Sequence, residues 1–166
     1  MVNYEEIYAL FDGVTPLPKD CGAVCGALCC TGDGDEGMLL FPGEEALLDP
    51  ACVRPAEGGR PLFVCGGRCD RERRPLSCRL FPLFPLVTPE GRIKAVYDPR
   101  AYRLCPLVRL NAHVRLRRDF VRAVRRAGRL LMRDPAARAF LTAQSREIEE
   151  LDLPGVLEVR APICRR

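Results

Sequence analysis

The sequence predicts an α+β fold, with short strands and irregular loops first and two helices at the C-terminal end. Three observations predict it. Residues 38–41, 62–64 and 92–97 are brief runs of strand-forming residues bounded by turn residues. From Leu107 onward apolar residues recur at helical spacing. Between these patterns lie stretches dense in Gly, Pro and Cys, where regular structure has little support.

Each element follows from its residues. Asn3 can cap a helix over residues 4–11, with Glu6 as its capping-box partner, and Gly13 and Pro16 end it. Residues 21–30 carry glycines at 22 and 26, which favour a wrapped loop over a helix. A Gly/Asp loop spans residues 31–37. Residues 38–41 read as a strand, and residues 42–45 start a small helix ending near Leu48. Residues 51–61 read as a loop, residues 62–64 as a strand, and residues 65–89 as mostly irregular. Residues 92–97 alternate after the Glu90-Gly91 turn and read as a strand.

In the C-terminal third, Leu110, Val114, Val121, Val124 and Leu131 share a helical stripe, with Leu107 and Leu130 beside it. Asp134-Pro135 stops that helix and starts the next, with Asp as cap and Pro at the first helical position. The second helix runs to about Glu150 and is broken at Pro154-Gly155. Residues 156–159 read as a last strand and residues 161–166 as a tail. At 166 residues the chain suits a single domain, with residues 20–106 as its core and residues 107–152 as a helical flank.

No apolar run reaches the roughly 18–20 residues that a membrane span needs, so no membrane partner is expected. The start of the chain is acidic and polar, unlike a secretory signal. The expected location is cytoplasmic, where thiols stay reduced.

Against that background the ten cysteines carry the functional information. Cys21, Cys25, Cys29 and Cys30 fall within ten residues, and Cys65 and Cys69 repeat the same interval. Cys78 and Cys105 follow at longer range. Crowded thiols offer no packing benefit that valine or alanine would not supply. A zinc or iron site does need several thiolates converging at about 2.3 Å. Such a site can contribute on the order of 10 kcal/mol to folding, which would staple a region poor in regular structure. The expected partner is therefore a metal ion, and the fold is a small, irregular, metal-stapled one. Cys52 lies in a polar loop and Cys164 in a basic tail, and both are set aside. Neighbours Cys29 and Cys30 are expected to point apart, one ligating and the other facing the core or a second metal. Asp33, Asp35, Glu36, Asp70 and Asp98 could join a mixed site, without specific spacing. His113, the single histidine, reads as a helix residue and not as a ligand.

Residues 74–82 read Arg-Pro-Leu-Ser-Cys-Arg-Leu-Phe-Pro. With the group at residues 21–30 and the Met-Leu-Leu-Phe-Pro-Gly-Glu-Glu stretch at residues 38–45, this resembles the YkgJ-type cysteine-cluster family of zinc- or iron-chelating proteins. The family is marked by a clustered CxxCxxCC motif and a later Arg-Pro-x-x-Cys-Arg-x-Phe-Pro motif. The second motif is matched at every fixed position; in the first, the spacers here have three residues instead of two. The resemblance spans residues 20–106 and implies metal chelation. Its motifs point to Cys21, Cys25, Cys29, Cys30, Cys65, Cys69, Cys78 and Cys105 as ligands. Arg74 and Arg79 flank Cys78 and would offset thiolate charge.

Two alternatives stand beside this reading. One is an iron–sulfur protein with redox or protein-modifying activity, since flagellin lysine-N-methylases have a similar cysteine-rich region. No dinucleotide fingerprint is present, and the 21–25–29 spacing misses the radical-type CxxxCxxC by one residue. The other is a zinc-stabilised nucleic-acid-binding module, because residues 100–133 hold eleven arginines against one acid, Asp119. Phe120 is the only aromatic among the helical arginines, so base stacking has little support. The segment reads as a solvated face, which argues against nucleic acid as a partner. A protein partner is compatible with the same face.

Overall fold

The computed structural model describes residues 1–30, 37–55, 59–67, 71–109 and 115–151. Its fold is α+β, with short antiparallel strands and two long helices at the C-terminal end. Helix α1 (Tyr4–Ala9) starts as the capping residue dictates: the Asn3 side chain accepts a hydrogen bond from the Glu6 amide at 3.2 Å. A small antiparallel sheet follows, in the order β1 (Met38–Leu39), β3 (Pro61–Phe63), β2 (Val53–Pro55). The Pro42–Leu48 region contains a 3-10 turn, Glu44–Leu47, in place of an α-helix. Strand β2 lies in a stretch that reads as loop, because three residues ending in proline carry no periodicity. Pairing with β3 is what makes them a strand.

The second sheet is a hairpin of β4 (Leu83–Val87) and β5 (Ile93–Tyr97), paired from Leu83↔Tyr97 to Val87↔Ile93. The sequence reads the first of these as irregular because Pro85 sits in its middle. The structure accommodates that proline at a free edge. Val87 sends its amide outward to Ser145 Oγ at 2.9 Å. Pro85, two residues earlier, directs its nitrogen to the same outer edge, where β5 needs no donor. The helix α3 (Leu76–Leu80) also forms where irregular chain is expected.

Helices α5 (Arg118–Leu131) and α6 (Pro135–Glu150) pack on this hairpin. Gly128 makes the close approach possible: a Cβ there would lie 2.7 Å from both Ile93 Cγ2 and Pro85 Cβ. Asp134 caps α6 as expected, accepting from the Ala137 amide at 3.0 Å with Pro135 at the first helical position. The apolar stripe resolves differently from a single helix begun at Leu107. A short α4 (Pro106–Arg109) is separate from α5. Arg117 is extended and donates its amide to the Pro16 carbonyl at 2.9 Å, a tertiary contact with no local sequence signal. Val124 and Leu131 are buried, while Leu110 and Val114 lie outside the described residues, as does the expected strand at 156–159.

The main core draws Ile7, Phe41, Leu76, Leu80, Tyr97, Phe120, Leu141 and Ile148 together from across the chain. A second, smaller cluster holds Leu40, Leu48 and Phe63. Among the described residues, no helix is long and apolar enough to cross a membrane.

Candidate thiol site

The first cysteine group is more regular than its glycines suggest. Asp20 accepts from the Gly22 amide at 3.0 Å and caps a short α2 (Cys21–Cys25). Gly26 ends it in the left-handed conformation that glycine adopts freely. Ala27 follows, also left-handed at φ 55. For alanine that conformation costs roughly 1–2 kcal/mol. The doubled left-handed turn reverses the chain between Cys25 and the 3-10 turn Leu28–Cys30. Cys29 and Cys30 do not diverge as expected: their sulfurs are 3.9 Å apart. The edge of a zinc–sulfur tetrahedron with 2.3 Å bonds is about 3.8 Å.

Cys78 reaches the site from α3. Pro75 at the start of that helix has no capping side chain. The cap comes from Glu44, whose Oε1 accepts from the Leu76 amide. Glu44 is fully buried. It also accepts from the Tyr8 hydroxyl at 2.6 Å and, through Oε2, from the Phe41 amide at 3.1 Å. Ser77 adds a hydroxyl donated to the Leu39 carbonyl. Helix α3 is thus tied to α1 and to the chain after β1. Arg79 stacks over the Tyr8 ring at 4.2 Å. Its Nε donates to the Arg74 carbonyl at 2.8 Å and its Nη2 to the Glu72 carbonyl at 2.7 Å, while Nη1 lies 3.9 Å from Asp12. These bonds make Arg79 a clasp on the loop before Cys78. The sequence suggests charge compensation and hydrogen bonds to sulfur for it.

Cys105 is buried just ahead of α4. Burial pushes its thiol up, against the pull of the Leu107 and Val108 amides. Cys29 is exposed by surface area, yet its sulfur is partly desolvated. That desolvation, then Cys30, Cys21 and Cys25, push its thiol up to about 12. A thiol of this kind stays protonated at neutral pH unless a cation takes the proton's place.

Cys21, Cys25, Cys29, Cys78 and Cys105 all line one cavity of about 370 Å³, with Phe11, Val14, Val24 and Leu107 among its apolar walls. Arg74 and Arg79 line it too. The other expected ligands are placed differently. Cys30 touches Cys29 but is not in the wall. Cys65 is half-buried and packs, like Cys52, against the Leu40–Leu48–Phe63 cluster. The loop just beyond it approaches the first group: a Cβ on Gly67 would lie 3.1 Å from the Cys30 carbonyl. Cys69, Cys164, His113, Asp33, Asp35, Glu36 and Asp70 lie outside the described residues. Asp98 is taken by the cap of the 3-10 turn Pro99–Arg103 and by Arg100, at 2.7 Å.

The donor set fits a soft cation by its chemistry, since thiolates select zinc and iron. As the side chains stand, no three His, Cys, Asp or Glu groups among the described residues form a metal-holding cluster. Sequence reasoning missed Glu44 and Tyr8, which hold the Cys78 helix; a Glu after Pro-Gly gives no sign that it caps a helix 32 positions away.

No family model, curated protein or solved structure matches the chain. The resemblance to the cysteine-cluster family rests on residues 21–30, 38–45 and 74–82 alone.

Proposed function

We propose that this chain chelates zinc or iron through clustered cysteine thiolates. One observation carries the reading. Five cysteines spread along the chain between positions 21 and 105 line a single cavity. Chance burial of unrelated thiols does not favour such convergence, and a soft cation does. Cys21, Cys25, Cys29, Cys78 and Cys105 are the inner donors. Cys30, whose sulfur lies 3.9 Å from that of Cys29, is a further donor. Cys65 and Cys69 remain proposed ligands by the motif. A reducing location such as the cytoplasm suits reduced thiols.

A second reading is an iron–sulfur cluster, since the five cysteines along the cavity supply the four thiolates that such a cluster takes. Elemental analysis and an absorption spectrum of anaerobically purified protein test both. Zinc or iron is expected at one or more equivalents. Visible charge-transfer absorption selects the cluster, and a metal-free, colourless protein overturns the proposal.

A further inference from the structure

Helix α5 presents a face of unmixed positive charge. Its exposed positions are Arg118, Arg122, Arg125, Arg126 and Arg129, and no other residue of the helix is exposed. At 100° per residue these five fall within an arc of about 100°. Arg115 and Arg133 are exposed just beyond the two ends. Among the described residues none of these seven forms an ion pair; Asp119, the helix's single acid, is held by Arg117. Neighbours at positions i and i+4 repel each other: 118 with 122, 122 with 126, and 125 with 129. The free helix therefore carries an electrostatic strain that an anionic partner would relieve.

The arginine-rich composition of the chain does not account for this face. Helix α6 comes from the same chain, and its exposed positions mix Arg138 and Arg146 with Glu147, Glu149, Glu150 and alanines. Both helices bury their apolar side, so both have the same freedom on the outer side.

We propose that α5 binds the phosphate backbone of a nucleic-acid duplex, without reading its sequence. The five arginines span about 17 Å of helix, and one strand of a duplex presents about five phosphates over that length. Guanidinium groups bond phosphate oxygens in pairs. A membrane fits less well, because Phe120, Val124, Ala127 and Leu131 face the core and leave nothing apolar to enter a bilayer. A protein partner fits less well, because the face has no apolar or aromatic centre. The helix lacks exposed aromatics; those matter for base stacking, and backbone binding does not use them.

The test is a fluorescence-anisotropy titration of the full chain against labelled DNA and RNA duplexes of two unrelated sequences. Sequence-independent binding is expected. Affinity should fall with a log–log salt slope near −4.5, or about 500-fold between about 50 and 200 mM salt. Arg122→Gln/Arg125→Gln/Arg129→Gln should flatten the slope by about 2.7. The lysine triple at the same positions should keep most of the slope. Arg138→Gln/Arg146→Gln on α6 should leave it unchanged. All substituted positions are exposed, and an unchanged thermal melt verifies the fold. The proposal is overturned by no binding at low salt, by an α6 variant that weakens binding as much as the α5 variant, or by tighter binding to anionic vesicles or polyglutamate than to either duplex.

Discussion

The Tyr8 hydroxyl donates to Glu44 at 2.6 Å, and Glu44 in turn caps the helix that carries Cys78. The first helix of the chain is thereby linked to a cysteine 70 positions later through one buried carboxylate. Three donors converge on that carboxylate, so its removal strands all of them. Glu44→Ala is expected to destabilise the fold by about 3–5 kcal/mol, and Glu44→Gln by about 1–2 kcal/mol because one oxygen is kept. Tyr8→Phe keeps the ring under Arg79 and should cost about 1 kcal/mol. Urea unfolding measures all three; an Ala variant within about 1 kcal/mol of wild type would show that Glu44 does not hold the helix.

Glu44 also sets a pH dependence. Burial raises its carboxyl above the ordinary value of 4.5, against the pull of Tyr8, the Leu76 and Phe41 amides and Arg79. The folded chain holds this proton more tightly than the unfolded chain does. The resulting stability is present below the ordinary value and is lost as pH rises through the folded one. The difference in unfolding free energy between wild type and Glu44→Gln should therefore fall as pH is raised from 4.5. A difference that grows over that range contradicts the assignment.

Gly128 is a packing requirement, not a turn. Alanine would gain about 1 kcal/mol in helix propensity. Its Cβ, however, would lie 2.7 Å from Ile93 and from Pro85, neither of which can swing aside. Gly128→Ala should be net destabilising by about 1–3 kcal/mol. Combined with Ile93→Ala, the two losses should add to less than their sum, which a double-mutant cycle reads directly.

Ala27 gives the opposite sign. Its φ of 55 suits glycine, and no helix interior is weakened by the change. Ala27→Gly should stabilise the protein by about 0.5–1 kcal/mol, the relief of left-handed strain less the extra freedom of the unfolded chain. A loss of stability would show that the alanine methyl packs usefully in the turn.

The cysteines divide by location, and metal content should divide the same way. Cys25→Ser and Cys78→Ser remove sulfurs from the cavity wall. Each should release most of the bound metal, measured by elemental analysis after desalting. Cys52→Ser, in the small apolar cluster, should leave the metal content unchanged and cost only packing. Equal losses in all three would mean that the metal is not held at the cavity.

The sequence alone determined the elements whose signals are local. Asn3 and Asp134 mark helix starts because each side chain caps an amide only three residues away. Residues 92–97 follow a turn and are rich in strand formers, and β5 (Ile93–Tyr97) forms there, with Ala95, Val96 and Tyr97 all buried. The cysteine positions are equally plain, since their types and spacing need no fold to be counted. Tertiary structure decided the rest. It made a strand of the segment containing Pro85, by placing that proline on an outer edge. It separated α4 from α5 through the Arg117 bond to Pro16. It sorted Cys65 from the cavity thiols, and it buried the apolar side of α5 so that only arginines are left fully exposed on that helix. Each of these depends on which distant residue supplies the partner, and that choice is made only when the core closes.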